Sequence, residues 1–270
     1  TVDIPAGAIV DRSGNSFAGA SFTFTTMDRR QPEARLFDAV VAQDGSGDYL
    51  SVAEAVKAAP ADRIAPWLIF IKEGYYKEHI EIPENKPYIY LIGQDKEKVT
   101  ITDDRLSGGE NALHVSQGAS VVVQAADFYA ENISFENEYG VKQNAGPQAL
   151  ALFTNNDRAC LYNCKLRSYQ DTYLTSTASD AHRHYLRECF IEGAVDFIYG
   201  GGDVYFDECV INIVRSSGGY IVAPSHGSST KWGYVFDHNT ITAPTNPPSA
   251  TEVWLGRPWH NACKTVFLYT

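Results

Sequence analysis

The sequence has no apolar run long enough to cross a bilayer: stretches such as Trp67 to Ile71, or Ala119 to Val123 with Ser120 inside it, fall far short of the roughly 20 residues required. Basic charge is also scarce. With 22 Lys and Arg against 33 Asp and Glu, a formal charge of −11 and a pI near 5.0, the chain lacks the electrostatic footprint of a nucleic-acid or anionic-membrane binder. Its five cysteines (Cys160, Cys164, Cys189, Cys209, Cys263) are too few for a disulfide-framed miniprotein and form no C-x-x-C motif. No Gly-x-Ser-x-Gly occurs, which argues against a serine-hydrolase esterase. Gly200-Gly-Gly202 is not followed by Lys-Ser/Thr and reads as a turn rather than a phosphate loop. His182 and His184 could share a strand face, but without a third ligand they do not make a zinc site. An initiating Met and a charged-then-apolar leader are absent too, so the chain reads as a processed or excised piece.

What is present is a globular composition, 44% hydrophobic and 20% charged over 270 residues, for which length alone suggests about two domains. Residues 1–27 stand apart. Gly14-Asn15 marks a turn, and Ala20, Phe22 and Phe24 alternate with Ser21, Thr23 and Thr25 as in a half-buried strand. Residues 28–35, within the charged, Pro-containing stretch Met27 to Arg35, suit a linker. Ile4 to Thr26 resembles the last strands of a bacterial immunoglobulin-like module. The alternative is an irregular arm packed on the main domain.

The main domain is expected over residues 36–270. It opens with a strand-like segment, followed by a capping box, Ser51-Val-Ala-Glu54, that starts an amphipathic helix ending at Pro60. This is the one convincing helix. The rest is short β-branched and aromatic segments separated by turns, and it carries a degenerate repeat. Glu131-Asn-Ile133-Ser-Phe135, Tyr162-Asn-Cys164-Lys-Leu166, Arg187-Glu-Cys189-Phe-Ile191, Asp207-Glu-Cys209-Val-Ile211 and Asp237-His-Asn239-Thr-Ile241 share a pattern whose centres are 31, 25, 20 and 30 residues apart. Strand-sized units at that spacing predict the coils of a parallel β-helix, an all-β fold. Cys164, Cys189 and Cys209 then fall in one internal column, by default as buried thiols; a Cys189 to Cys209 disulfide is also geometrically possible.

Two aspartates repeat with that pattern. Asp171 follows Cys164 by seven residues and Asp196 follows Cys189 by seven, so aligned coils would place one carboxylate above the other. A close pair cannot ionise freely, and one member keeps a proton. Gln148, about one coil earlier, could add an amide donor to the same surface.

Five ordered blocks make the pattern specific: Gly74-Tyr-Tyr-Lys-Glu78, Gln148-Ala-Leu-Ala-Leu152, Gln170-Asp-Thr172, Asp196-Phe-Ile-Tyr-Gly200 and Leu255-Gly-Arg-Pro-Trp259. Over roughly Phe37 to Thr270 the chain resembles the pectin methylesterases, which release methanol from methylated polygalacturonate (pectin). The resemblance implies a right-handed parallel β-helix with an exposed cleft, no metal or organic cofactor, and a secreted, cell-surface or periplasmic location, here in a bacterium. By position it implies Asp196 as nucleophile, Asp171 as acid and later base, Gln148 and Gln170 as stabilisers of the tetrahedral intermediate, and Arg257 as the residue holding Asp196. Trp259 and Tyr199 would line the sugar groove, with Tyr173 and Phe197 beside them. Glu78 reads as structural.

The chain departs from the family pattern at Tyr173 and Tyr199, where apolar residues and Phe are usual, and in the apolar stretch Gly219 to Pro224. The family also continues beyond its Gly-Arg-Pro-Trp block, whereas this chain stops 11 residues after Trp259, so its last coil is expected to be uncovered. Two other functions compete. A β-helical lyase needs a calcium cluster and a basic catalytic residue, and a hydrolase a tighter group of aspartates; a non-catalytic glycan-binding β-helix would follow if the site is left unformed.

The acidic balance carries a prediction. A protein of charge −11 repels a polyanionic product, so inhibition by polygalacturonate should strengthen as added salt screens the repulsion. Inhibition constants that do not change with ionic strength would remove that role from the charge.

Overall fold

A computed structural model of the chain describes residues 1–11, 13–23, 36–177, 182–215, 218–228, 230–243, 253–260 and 262–270. It separates into two units, Thr1–Leu36 and Phe37–Thr270. In the first, Val2–Ile4 pairs antiparallel with Ala20–Phe22, and Val10 bridges Ser16 around the turn at Gly14, where φ is +86°. The expected half-buried strand is a correction: Ala20, Ser21 and Phe22 are all exposed, because among the described residues of this unit no second layer covers the pair. Phe24, Thr25 and the linker expected at residues 28–35 lie outside the described residues.

The second unit is a stack of parallel coils. Each full coil contributes one strand to each of three sheets. Among the described residues the first sheet has nine strands, from Ala39–Val41 at one edge to Thr265–Leu268 at the other; the second and third have seven each, ending at Thr240–Thr242 and Trp254–Gly256. Every pairing in these sheets is parallel, so each return to a sheet is a crossover of the usual right-handed sense. Neighbouring coils therefore rise by about 4.8 Å, and residues in register stack directly over one another.

The repeat read from the sequence is the corner between the first and second sheets. Its centres Ile133, Cys164, Cys189, Cys209 and Asn239 each precede strands that pair Ser134 with Lys165, Lys165 with Phe190, Phe190 with Val210, and Val210 with Thr240. The residue before each centre, Asn132, Asn163, Glu188, Glu208 or His238, has a φ between 49° and 56°. That left-handed residue turns the chain through the corner, at a local cost of about 1 kcal/mol offset by the packing of the following side chain. Because connections elsewhere in the coils vary in length, the centres recur at unequal intervals. Cys164, Cys189 and Cys209 are buried, free thiols in one internal column, as the default reading expected. Asn239 ends the column, its Oδ1 accepting from Cys209 N at 2.8 Å and its Nδ2 donating to Phe206 O at 3.0 Å. A parallel aromatic stack, Phe206, Phe236 and Phe267, has centroid spacings of 4.3 and 4.6 Å.

Helix α1, Val52–Ala58, closes the N-terminal end of the stack by packing Val52, Ala55 and Val56 against the first strands. Ser51 caps it, accepting from Glu54 N at 3.1 Å. A second cap comes from another coil: the Glu78 carboxylate accepts from Val52 N at 2.8 Å and Ala53 N at 2.9 Å. Glu78 is thus structural, as read from the sequence, and satisfies two donors that the helix cannot. Two short helices, α2 (Val115–Gly118) and α3 (Glu138–Gln143), had no visible period at such length. No helix among the described residues is long and apolar enough to cross a membrane.

Replacing Glu78 by Ala should lower the unfolding free energy by about 1–2 kcal/mol, read as a reduced urea midpoint at unchanged slope. An unchanged midpoint would show that the cap contributes nothing.

Candidate active site

The third sheet carries inward side chains into the main core and outward ones onto a second surface. Val122, Phe153, Leu174, Tyr199 and Ala223 form one outward column across five coils. Joined by Ala119 and Leu150 and packed by Val115, they form a second apolar cluster separate from the core. The last two members of this column, Tyr199 and Ala223, reach a cleft of about 570 Å³ lined also by Ser107, Val115, Gln148, Gln170, Asp171, Asp196, Arg257, Pro258 and Trp259.

Asp171 and Asp196 stand at the corner just before their strands. Gln170 bridges Val195 and Tyr173 pairs with Ile198, so the two aspartates are in register on adjacent coils. Asp171 N donates to Val195 O at 3.1 Å and Asp196 N to Tyr220 O at 2.8 Å. Both residues are left-handed, with φ of 63° and 50°, a conformation Asp tolerates better than most residues and one that turns their carboxylates out of the corner into the cleft.

The pair is electrostatically unequal. Arg257 grips Asp196 with two donors, Nε to Oδ1 at 2.9 Å and Nη2 to Oδ2. Its guanidinium in turn lies over the Tyr220 ring, 4.6 Å from the centroid, and Tyr220 stacks on Trp254 at 6.4 Å. Arg257 comes from the outermost coil, anchored by its N–H on Val222 O at 3.0 Å. Asp171 has no such partner. Burial, and then the neighbouring Asp196 charge, push its pKa up from 3.8 to about 7, against smaller lowering effects of Tyr199 and Arg257.

Two glycines make room for the amides. A Cβ on Gly108 would lie 1.8 Å from Gln148 Oε1, and one on Gly146 would lie 2.7 Å from Gln170 Oε1. Only a residue without a side chain lets each amide lie against that wall. Trp259, half exposed, faces Tyr199 with centroids 5.7 Å apart and gives the cleft an aromatic side.

Of the nine expected site residues, Gln148, Gln170, Asp171, Asp196, Arg257, Tyr199 and Trp259 meet in this cleft. Tyr173 and Phe197 do not, and their expected place in the sugar groove is corrected. Both are fully buried in the main core. Tyr173 points inward because it is one residue out of phase with Leu174 and Tyr199. Its hydroxyl lies 3.0 Å from Thr154 Oγ1 and 3.4 Å from His184 Nδ1, which is why a tyrosine is accepted there. His184 is buried and held neutral, its pKa pushed down to about 4 by desolvation, with Nε2 2.8 Å from Asn156 O. His182 instead meets Ser176 Oγ at 2.8 Å.

The sequence reading missed Ser107 and Gly108, which lie in a loop with no periodicity, Val115, which opens the four-residue helix α2, and Tyr220, whose signal was the apolar stretch at Gly219 to Pro224.

A family model described as Pectinesterase matches residues 38–270. The chain belongs to the pectinesterase family. It is 34% identical over 241 residues to a pectinesterase of Petunia integrifolia, covering 86% of this chain and 61% of that protein. A probable pectinesterase of Arabidopsis thaliana is 32% identical, with 86% and 80% covered. The chain thus spans about three fifths of the Petunia relative's length. The solved pectin methylesterase from carrot superposes with a TM-score of 0.78 at 32% identity, over 86% of this chain and 72% of that one; the Erwinia chrysanthemi enzyme gives 0.75 at 27%, over 87% and 79%. These neighbours are the right-handed parallel β-helices that the coil topology of this pectinesterase-family chain reproduces.

The raised pKa of Asp171 is also a statement about stability. From about pH 4 to pH 7 the native state holds a proton that the unfolded chain has lost, so stability falls as pH rises through that window, by roughly 2–4 kcal/mol at most. Asp171→Asn, which cannot ionise, should therefore unfold at higher denaturant than the wild type at pH 8 and at about the same concentration at pH 4. An equal difference at both pH values would contradict the shift.

Proposed function

We propose that the protein hydrolyses the methyl esters of polygalacturonate, releasing methanol, with Asp196 as nucleophile and Asp171 as the proton carrier. One observation carries this reading: two carboxylates in register in one cleft, one clamped by Arg257, the other buried enough to hold a proton near neutrality. That asymmetry is what an acid and a nucleophile need in order to act together.

An oxygen of Asp196 retains a lone pair beside its bond to Arg257 and attacks the ester carbonyl carbon. The carbonyl oxygen becomes negative. Gln148 and Gln170, each with Oε1 against a glycine, direct their Nε2 donors to that oxygen. As the C–O bond to the methoxy group breaks, Asp171 gives it a proton and methanol leaves. Water then attacks the acyl-enzyme carbonyl, Asp171 takes one of its protons, and the bond to Asp196 breaks, restoring both aspartates and yielding the galacturonic acid carboxyl, which loses its remaining proton to solvent. Trp259 supplies an aromatic face for a pyranose ring.

The relatives, named as pectinesterases, support the substrate, and a solved pectin methylesterase, 27% identical with a TM-score of 0.74, is in complex with a hexasaccharide. The lyase reading is less well supported, because the cleft's guanidinium, Arg257, is tied to Asp196 rather than free to act as a base. Such a substrate places the enzyme outside the cytoplasm, secreted, at the cell surface or in the periplasm. The named relatives come from both plants and bacteria. For residues 1–27 the reading as end strands of an immunoglobulin-like module stands as a proposal; the family match begins at residue 38 and does not bear on it.

Incubation with methyl-esterified pectin should release methanol without unsaturated products or new reducing ends. Asp196→Ala should lower kcat by at least about 10³-fold while leaving the unfolding midpoint near that of the wild type. Full methanol release by that variant would overturn the assignment of the nucleophile.

A further inference from the structure

Tyr199 has two parts, and only one is used by the cleft's aromatic wall. Its ring packs on Trp259 and fills the outward column between Leu174 and Ala223. Its hydroxyl is a separate matter. The residue is 4% exposed, and the buried hydroxyl has no protein partner at full hydrogen-bond geometry. An oxygen so placed carries a desolvation cost when unpaired, and a phenylalanine would fill the same column without it. A tyrosine here therefore points to a partner the hydroxyl meets during function.

The groups that face it identify that partner. Asp171 and Asp196 line the cleft beside Tyr199; after burial, the Asp171 charge does most to raise the Tyr199 hydroxyl above its ordinary range, ahead of Tyr234 and Asp196, and Asp171 in turn feels Asp196, Tyr199 and Arg257. Tyr234 is otherwise occupied, its hydroxyl 2.8 Å from Thr175 Oγ1 and 2.9 Å from Gly200 O. Asp196 is held by both arms of Arg257. Asp171 alone is uncommitted.

We infer that Tyr199 is a positioning residue for Asp171, its hydroxyl donating a hydrogen bond to the Asp171 carboxylate once the proton has left. This rests on the proposed role of Asp171 as proton carrier and adds how that role is tuned. The hydroxyl stabilises the ionised form that burial and Asp196 disfavour, and it acts in the same direction as Arg257, which lowers the Asp171 pKa from further away. It also fixes the carboxylate's orientation between the two proton transfers, when Asp171 faces the acyl-enzyme as a base. Without the hydroxyl, Asp171 keeps its proton to higher pH, which extends the acid step upward and weakens the base step.

The test is Tyr199→Phe, which removes one oxygen and leaves the ring on Trp259. The alkaline limb of kcat/KM for methanol release, which follows loss of the Asp171 proton in the free enzyme, should move up by roughly 0.5–1 pH unit, with KM little changed. Tyr199→Leu, lacking ring and hydroxyl, should show the same shift together with a raised KM. The carboxyl stretching band of protonated Asp171, assigned by its loss in Asp171→Asn, should persist to correspondingly higher pH in Tyr199→Phe. A limb and a band that stay where the wild type has them, in either variant, would overturn the inference. If Asp171→Asn itself retained wild-type activity, the proposed role of Asp171 would fail, a result distinct from an unmoved limb.

Discussion

Parallel backbone pairing between successive coils is the constraint on which the rest of this structure depends. It sets every coil about 4.8 Å from the next, leaves no freedom to slide without exposing an inward column, and so converts equal offsets in sequence into vertical stacking in space. The thiol column, the phenylalanine stack and the pair of aspartates are three outcomes of that one register. For the thiols and rings it is favourable, since like packs on like. For the aspartates it is unfavourable, and the chemistry arises from how the conflict is resolved.

The resolution is asymmetric. Arg257 is supplied to Asp196 from the outermost coil, 61 residues further along the chain, and is itself supported by Tyr220 and Trp254. Asp171 receives no cation of its own and keeps its proton to about pH 7. Had the arginine lain between the two carboxylates, both would have been ionised together and neither could have served as an acid. The glycines at 108 and 146 complete the arrangement by removing side chains where two glutamine amides must lie.

Much of this was legible in the sequence, for reasons visible in particular residues. The corner motif could be stacked by eye because a left-handed residue such as Asn163 or Glu188 must precede each inward side chain. The seven-residue offsets to Asp171 and Asp196 survived because the second-sheet strand and the following corner together span the same number of residues in both coils. Helix α1 announced itself through Ser51, although its second cap, Glu78, comes from a different coil and leaves no local trace. Tyr173 and Phe197 show the limit. Both neighbour site residues in sequence, yet the outward direction at these corners does not follow simple alternation, and the two rings turn into the core.

By itself, then, the sequence determined the coil, its register and the identity of the groups that could act, because these follow from local corner geometry and from offsets within one repeat. Only the tertiary structure decided which groups share the cleft and which carboxylate holds the proton. Those depend on side-chain direction, on the desolvation of Asp171 and on Arg257 arriving from a distant coil, and burial and long-range electrostatics have no counterpart in the order of residues along the chain.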